Sequence, residues 1–175
     1  MQIVKKITSI FLIIILLAGC NNQPANNNSS HIRIVSLSKH LTEMLFALGE
    51  GSHIVATDLT SSFPDSAKLL KKVGYHRSLN AEGIAAMKPD LVIHSNDIGP
   101  VTIYDQIKKL GLHTKVFGAA STIDSCKLLL SSLGNYFNRQ KQADSLIQQL
   151  DSDLATAATM RSKFRDSPTV MVIHF

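Results

Sequence analysis

The stretch Val73-Gly74-Tyr75-His76-Arg77, followed at once by Ser78-Leu79-Asn80-Ala81-Glu82-Gly83, holds the residues best suited to chemistry. A phenol is a poor metal ligand until it loses its proton, near pKa ~10 when unperturbed. A nearby guanidinium favours the phenolate. In an extended segment, side chains two apart project to the same side, so Tyr75 and Arg77 would act together. A phenolate is one of the axial ligands used for haem iron. His76 offers a second iron contact, although an extended backbone aims it away from Tyr75. A Tyr-x-Arg met alone reads more simply as a surface tyrosine beside a solvated arginine, so its setting decides.

That setting is a βαβα rhythm. Residues 32–37 read as a strand. Leu41, Met44, Leu45 and Leu48 recur at helical spacing, and Gly49 ends that helix. Ile54 to Thr57 is a second strand, and Pro64 opens a single helical turn. Asn80 caps a short helix, which Lys88-Pro89-Asp90 breaks. Leu91 to His94 is a buried strand, Pro100 to Leu110 an amphipathic helix closed by Gly111, and Thr114 to Phe117 a further strand. The pattern predicts an α/β fold: a parallel sheet flanked by helices on both faces. Ligands of such sheets gather outside the carboxyl ends of the strands. Those ends are Ser38-Lys39-His40, Asp58-Leu59, Ser95-Asn96-Asp97 and Gly118-Ala119. Lys39 and His40 suit charge-assisted hydrogen bonds to ligand carboxylates, and Asn96 is a further contact candidate. His40 reads equally as a helix-start residue facing water.

From Thr122 the chain reads as helical to about Phe164, with Gly134 and Asn138 marking a joint. The second helix, 139–164, carries Ala143, Leu146, Ile147, Leu150, Leu154 and Ala157 on one face. Thr169 to Phe175 reads as a strand, and a lone strand needs neighbours to pair with it.

The N-terminus speaks to compartment. Lys5 and Lys6 precede an apolar run, Ile7 to Ala18, too short for a spanning helix of ~20 residues. It has the length of a signal-peptide core. Leu17-Ala18-Gly19-Cys20 resembles a bacterial lipobox, which implies cleavage before Cys20 and acylation of its thiol. Asn21 to Ser30 is too polar to order itself and reads as a tether. The formal charge is +5, of which two belong to Lys5 and Lys6. The remainder is too weak to argue for nucleic acid. Cys126 is the other cysteine, so no internal disulfide is expected once Cys20 is acylated. No Gly-x-Gly-x-x-Gly, P-loop or Gly-x-Ser-x-Gly occurs, so an enzyme is not expected. Seven histidines raise zinc capture as an alternative, but no His-x-His or His-x-x-x-His spacing supports it.

Several motifs in order resemble one family. Arg33-Ile34-Val35-Ser36-Leu37 before Leu41-Thr42-Glu43, the loop Asp58 to Pro64, and Lys88-Pro89-Asp90-Leu91-Val92-Ile93 are similar to the cluster A-II binding proteins, including those for cobalamin and ferric siderophores. Gly74-Tyr75, Arg77 and Ala81-Glu82-Gly83 resemble the periplasmic haem-binding proteins of ABC-type haem importers. The resemblance implies Tyr75 as axial ligand to haem iron, Arg77 stabilising the phenolate or a propionate, and Glu82 docking on the permease. Cobalamin or a ferric siderophore is the alternative ligand. Two places depart from the pattern: His76, where many relatives carry an apolar residue, and Lys39-His40, where they often have small ones. The expected organisation is a lipoprotein signal (1–19), an acylated cysteine and tether (20–31), an N-terminal ligand-binding lobe (32–137), an interlobe backbone helix (138–166) and the first strand of a second lobe (167–175). The resemblance thus covers one lobe and the linker of a two-lobe protein, anchored outside the cytoplasm and expected to be a fragment.

Overall fold

A computed structural model describes residues 31–163 and 169–173. The signal, Cys20 and all of the tether except His31 lie outside the described residues. The strands β1 (Ile34–Ser36), β2 (Ile54–Thr57), β3 (Lys71–Lys72), β6 (Leu91–His94) and β7 (Thr114–Val116) form one sheet in the order β3-β2-β1-β6-β7. Every pairing in it is parallel. A separate antiparallel hairpin joins β4 (Gly74–Tyr75) to β5 (Ser78–Leu79).

Alternation along the central strands loads both faces, because successive strand side chains point to opposite sides. Ile34, Ile54, Leu91 and Ile93 face α1 (Lys39–Ala47), α5 (Ile123–Tyr136) and the start of α6 (Gln140–Arg161), meeting Leu41, Leu45, Leu133 and Ala143. Val35, Ala56 and Val92 face α3 (Ala81–Ala85) and α4 (Ile103–Lys109), meeting Ile84, Ile103 and Ile107. The remaining helix, α2 (Asp65–Lys68), is the single turn after Pro64.

The stops are those the sequence marks. Gly49 and Gly111 follow α1 and α4 with φ of +84° and +69°, the left-handed conformation glycine adopts freely. Asn80 caps α3, its Oδ1 accepting from the N–H of Glu82 at 2.8 Å. Thr122 caps α5 through a reciprocal box with Ser125.

Gly134 has a different task from the expected one. The joint between α5 and α6 is residues 137–139, with Asn138 at φ +56°. Gly134 lies inside α5, where a Cβ would come within 2.6 Å of the Ala143 Cβ. It lets the two helices close on each other. Glu50, buried after α1, accepts from Arg139 Nε at 2.5 Å and ties the root of α6 to the lobe. At 22 residues α6 spans roughly 33 Å at 1.5 Å per residue.

Of the strand expected over 167–175, residues 167, 168, 174 and 175 lie outside the described residues. Residues 169–173 are exposed and carry no strand. Among the described residues no strand pairs with them, and their exposed backbone groups are left to water.

Candidate functional site

The switch point of the sheet lies between β1 and β6, since the chain runs from β1 outward through β2 to β3 and then returns to β6. Open α/β sheets offer a crevice there, at the carboxyl ends of the strands. Ser38 and Ser95 sit just past those two ends. The Ser95 N–H donates to Ser38 Oγ at 2.9 Å, and the two hydroxyl oxygens are 2.7 Å apart. Ser95 Oγ donates to the Asp97 carboxylate. That bond holds the Asp97 carboxyl below its usual range. Ser38 Oγ is thereby diverted from α1, which starts without a side-chain cap.

The loop after β2 is built on Asp58, whose side chain is fully buried. Its Oδ2 accepts from the Thr60 N–H at 2.9 Å and from the Thr60 hydroxyl, and its Oδ1 accepts from Ser61 Oγ at 2.5 Å. Ser61 Oγ lies 3.0 Å from the buried Thr42 hydroxyl of α1. Lys72 Nζ donates to Thr57 Oγ1 at 2.7 Å and to the carbonyls of Ser61 at 2.6 Å and Ala67 at 3.0 Å. Burial lowers the Lys72 ammonium pKa. This scaffold presents Leu59 and Phe63 to solvent.

The β4–β5 hairpin rests on that loop and on the one after β6. The Leu59 N–H donates to the Gly74 carbonyl at 2.9 Å. The Gly99 N–H donates to the His76 carbonyl at 2.8 Å, and the Leu79 N–H to the Gly99 carbonyl at 2.9 Å. Gly99 must stay small, because a Cβ would stand 3.0 Å from the Arg77 carbonyl oxygen.

Together these elements line a hollow of about 230 Å³, bounded by Ser38, Lys39, His40, Thr60, Tyr75, His76 and Asp97. Small-molecule sites commonly measure roughly 300–1,000 Å³. The hollow is smaller than that range and opens to solvent beside Tyr75. Tyr75 is 44% exposed, with its ring edge-on to His76 at a centroid distance of 4.5 Å. His76 Nδ1 lies 3.9 Å from Asp58 Oδ2. Burial holds the His40 imidazole below its ordinary 6.5, against the opposing charges of Asp97, Glu43 and Asp58. His40 Nε2 and His76 Nδ1 are both buried without a hydrogen-bond partner. Leaving a buried donor or acceptor unmatched costs about 1–3 kcal/mol.

This geometry corrects two expectations. Residues 76–77 are the turn of the hairpin, so the segment is not extended through Arg77. The alternation argument for Tyr75 beside Arg77 therefore fails, and Arg77 does not line the hollow. For the same reason His76 is not aimed away from Tyr75; both rings line it. Lys39 is the cation that does. Asn96 is exposed and, like Gly118-Ala119, does not line the hollow. Glu82 is exposed in the first turn of α3. Asp97 enters the site from a strand end already named, and Thr60 enters it without having been singled out; the Asp58-x-Thr60 spacing, a frequent side-chain-to-backbone turn, was the available signal.

His94 and His53 do not line the hollow. His94 is buried, its Nδ1–H donating to the Ser95 carbonyl at 2.9 Å and its ring edge-on to Tyr104. His53 Nδ1 meets Glu50 Oε2 at 2.6 Å. Among the described residues no three His, Cys, Asp or Glu side chains converge as a metal site requires. Burial lowers the His94 pKa below 6.5, so the unfolded chain takes up that proton first. Stability from this group is complete above 6.5 and is lost as pH falls toward the folded-state value. Urea unfolding from pH 7.5 to 5 is expected to lose up to about 1.4 kcal/mol per pH unit less in His94→Gln than in the parent. Equal slopes in the two proteins would remove His94 from the account.

A parallel sheet wound both ways from a central strand, a polar crevice at its switch point and a long helix leading away define a substrate-binding lobe. Residues 34–175 match the periplasmic binding protein family, and the chain belongs to it. The vitamin B12-binding protein of Pectobacterium atrosepticum is 30% identical over 146 residues, 82% of this chain and 52% of that protein. Among solved structures, the periplasmic haem-binding protein RhuT from Roseiflexus sp. RS-1 in apo form superposes with a TM-score of 0.71 at 29% identity, over 78% of this chain and 52% of that one. A periplasmic haem-binding protein from Pseudomonas aeruginosa gives 0.68 at 30%, over 74% and 48%. The chain thus spans about half the length of the curated relatives it matches.

Proposed function

We propose that this chain captures ferric haem outside the cytoplasm and delivers it to the permease and ATPase of an ABC importer. The observation that carries the reading is Tyr75: a half-exposed phenol on a clamped hairpin at the mouth of the switch-point hollow. Its oxygen binds the iron as phenolate, and the porphyrin's face meets the exposed Leu59 and Phe63 on the adjoining loop. Lys39, His40 and His76 meet the ligand's polar edge, with Arg77 and Asn96 outside the hollow as further contacts. Glu82 docks on the permease, and acylated Cys20 holds the protein to the membrane through the polar tether. No chemistry is done on the cargo; it is held and released.

Cobalamin is the second reading, favoured by the 30% identity to a vitamin B12-binding protein. One titration separates the two. Purified protein loaded with ferric haem is challenged with a hundredfold excess of cyanocobalamin, and the haem spectrum is followed. The haem reading expects the spectrum to persist. Full displacement by cobalamin, without a tyrosinate signature beforehand, would replace haem by cobalamin as the cargo.

A further inference from the structure

The face of the sheet that α4 covers is left open at its edge. β7 ends the sheet, and its register sets Thr114 beside Val92 and Val116 beside His94, so these side chains share the α4 face. That helix is seven residues long and is followed by Gly111. It packs Ile103 and Ile107 on the central strands and leaves Thr114 and Val116 exposed. The result is a cavity of about 530 Å³ that shares no lining residue with the switch-point hollow. Its volume falls within the roughly 300–1,000 Å³ usual for small-molecule sites.

One buried imidazole borders this cavity. His94 is 1% exposed, its Nδ1–H is spent on the Ser95 carbonyl, and its Nε2 makes no hydrogen bond within the protein. Burial favours the neutral ring, so Nε2 is an acceptor without a donor. Native structures seldom leave such an atom unmatched, and a missing guest is one ordinary reason. The Tyr104 ring stands edge-on to the imidazole at 5.4 Å, and Ile107, Leu112 and Val116 add apolar surface. Lys108 and His113 also line the cavity, and no Asp or Glu does.

We propose that the cavity between α4 and β7 is a second ligand site, for a small aromatic acid that carries a hydroxyl. The hydroxyl donates to His94 Nε2, the ring lies against Tyr104 and the apolar wall, and the carboxylate meets Lys108. The proposal is independent of the haem reading. Chemistry chooses the guest. An inorganic anion would leave the apolar wall bare, and an apolar molecule would leave Nε2 unmatched. The cation without a facing carboxylate asks for negative charge at the opposite end of the guest. A peptide adding as a strand to β7 would have to pass the exposed Lys115, the kind of edge charge that discourages strand addition.

The test is an amide NMR titration of the full chain with para-hydroxybenzoate, its methyl ester and benzoate, each up to about 5 mM. Shifts are expected at Tyr104, Lys108, Leu112, Thr114 and Val116. Benzoate, which lacks the donor, is expected to bind about tenfold more weakly. The ester, which lacks the charge, is expected to bind about threefold more weakly, as befits an exposed ion pair. Lys108→Ala should bring acid and ester to equal affinity while keeping the tenfold preference over benzoate. His94→Phe should erase that preference. If it does not fold, Val116→Phe at an exposed position is expected to fill the cavity and abolish the shifts. Protein loaded with haem is expected to bind the acid unchanged. Absence of shifts at these amides overturns the site, as does equal affinity for para-hydroxybenzoate and benzoate in the parent. Shifts at Lys39, His40 and Tyr75 instead, or competition with haem, would place the acid in the switch-point hollow and overturn the second site while leaving the haem reading intact.

Discussion

Tyr75→Phe is expected to lower ferric haem affinity by about 100-fold or more, equivalent to roughly 2.7 kcal/mol, and to abolish the tyrosinate-to-iron absorption. The substitution removes one oxygen and keeps the ring. Packing against His76 at 4.5 Å survives, as do the main-chain bonds that clamp the hairpin to Leu59 and Gly99. The loss therefore reports the iron–oxygen bond and not the fold. Cobalamin would not use that oxygen for ligation, so its binding should change less than about threefold. A visible titration of both proteins settles the matter, and an identical haem spectrum in the variant ends the case for Tyr75 as ligand.

Asp58→Ala is expected to destabilise the lobe by about 3 kcal/mol or more and to weaken ligand binding with it. The side chain is fully buried and accepts from the Thr60 N–H, the Thr60 hydroxyl and Ser61 Oγ. Each bond to a charged group contributes roughly 1.5–3 kcal/mol net, and donors left buried lose more than the bond itself. The damage spreads along defined contacts. Ser61 touches Thr42 of α1 and carries one of the carbonyls that hold Lys72. His76 loses the carboxylate 3.9 Å from its Nδ1. Urea unfolding measures the first effect and haem titration the second. A stability change below about 1 kcal/mol would mean that water replaces the carboxylate and that the loop is not organised by it.

The two experiments separate the Tyr75 hydroxyl from the scaffold that positions it. Tyr75 sits on two-residue strands that could not hold a fixed position alone, since an isolated hairpin is marginal in water. The β2 and β6 loops hold it by main-chain hydrogen bonds. The polar residues behind those loops are buried and matched, whereas the unmatched atoms lie at the hollow itself. Polarity is satisfied where it supports and left open where it can receive.

Much of this was legible in residue order. The strands at Ile54–Thr57 and Leu91–His94 fall where the apolar runs place them, and Gly49, Gly111 and Asn80 act as the punctuation expected of them. The crevice lies beyond the strand ends named from the pattern, at Ser38, Lys39, His40 and Asp97. These features depend on periodicity and local stereochemistry, which act over a few residues. Gly134 was misread because its reason is a neighbour nine residues away across a helix joint, Ala143. The run at 169–173 has strand composition without a strand, because pairing is supplied by other segments and not by composition.

Composition and spacing determined the α/β architecture, the polar ends of its strands and the presence of a phenol near them, because side-chain period and turn chemistry are properties of the local chain. Which cation and which imidazole accompany that phenol was decided only by the tertiary structure. Reversal of the backbone at residues 76–77 takes Arg77 out of the hollow and brings His76 in. Packing of α1 against the sheet delivers Lys39 and His40 from more than thirty residues away. Proximity between such distant groups is the work of chain reversals and buried contacts, and no spacing rule along the sequence contains it.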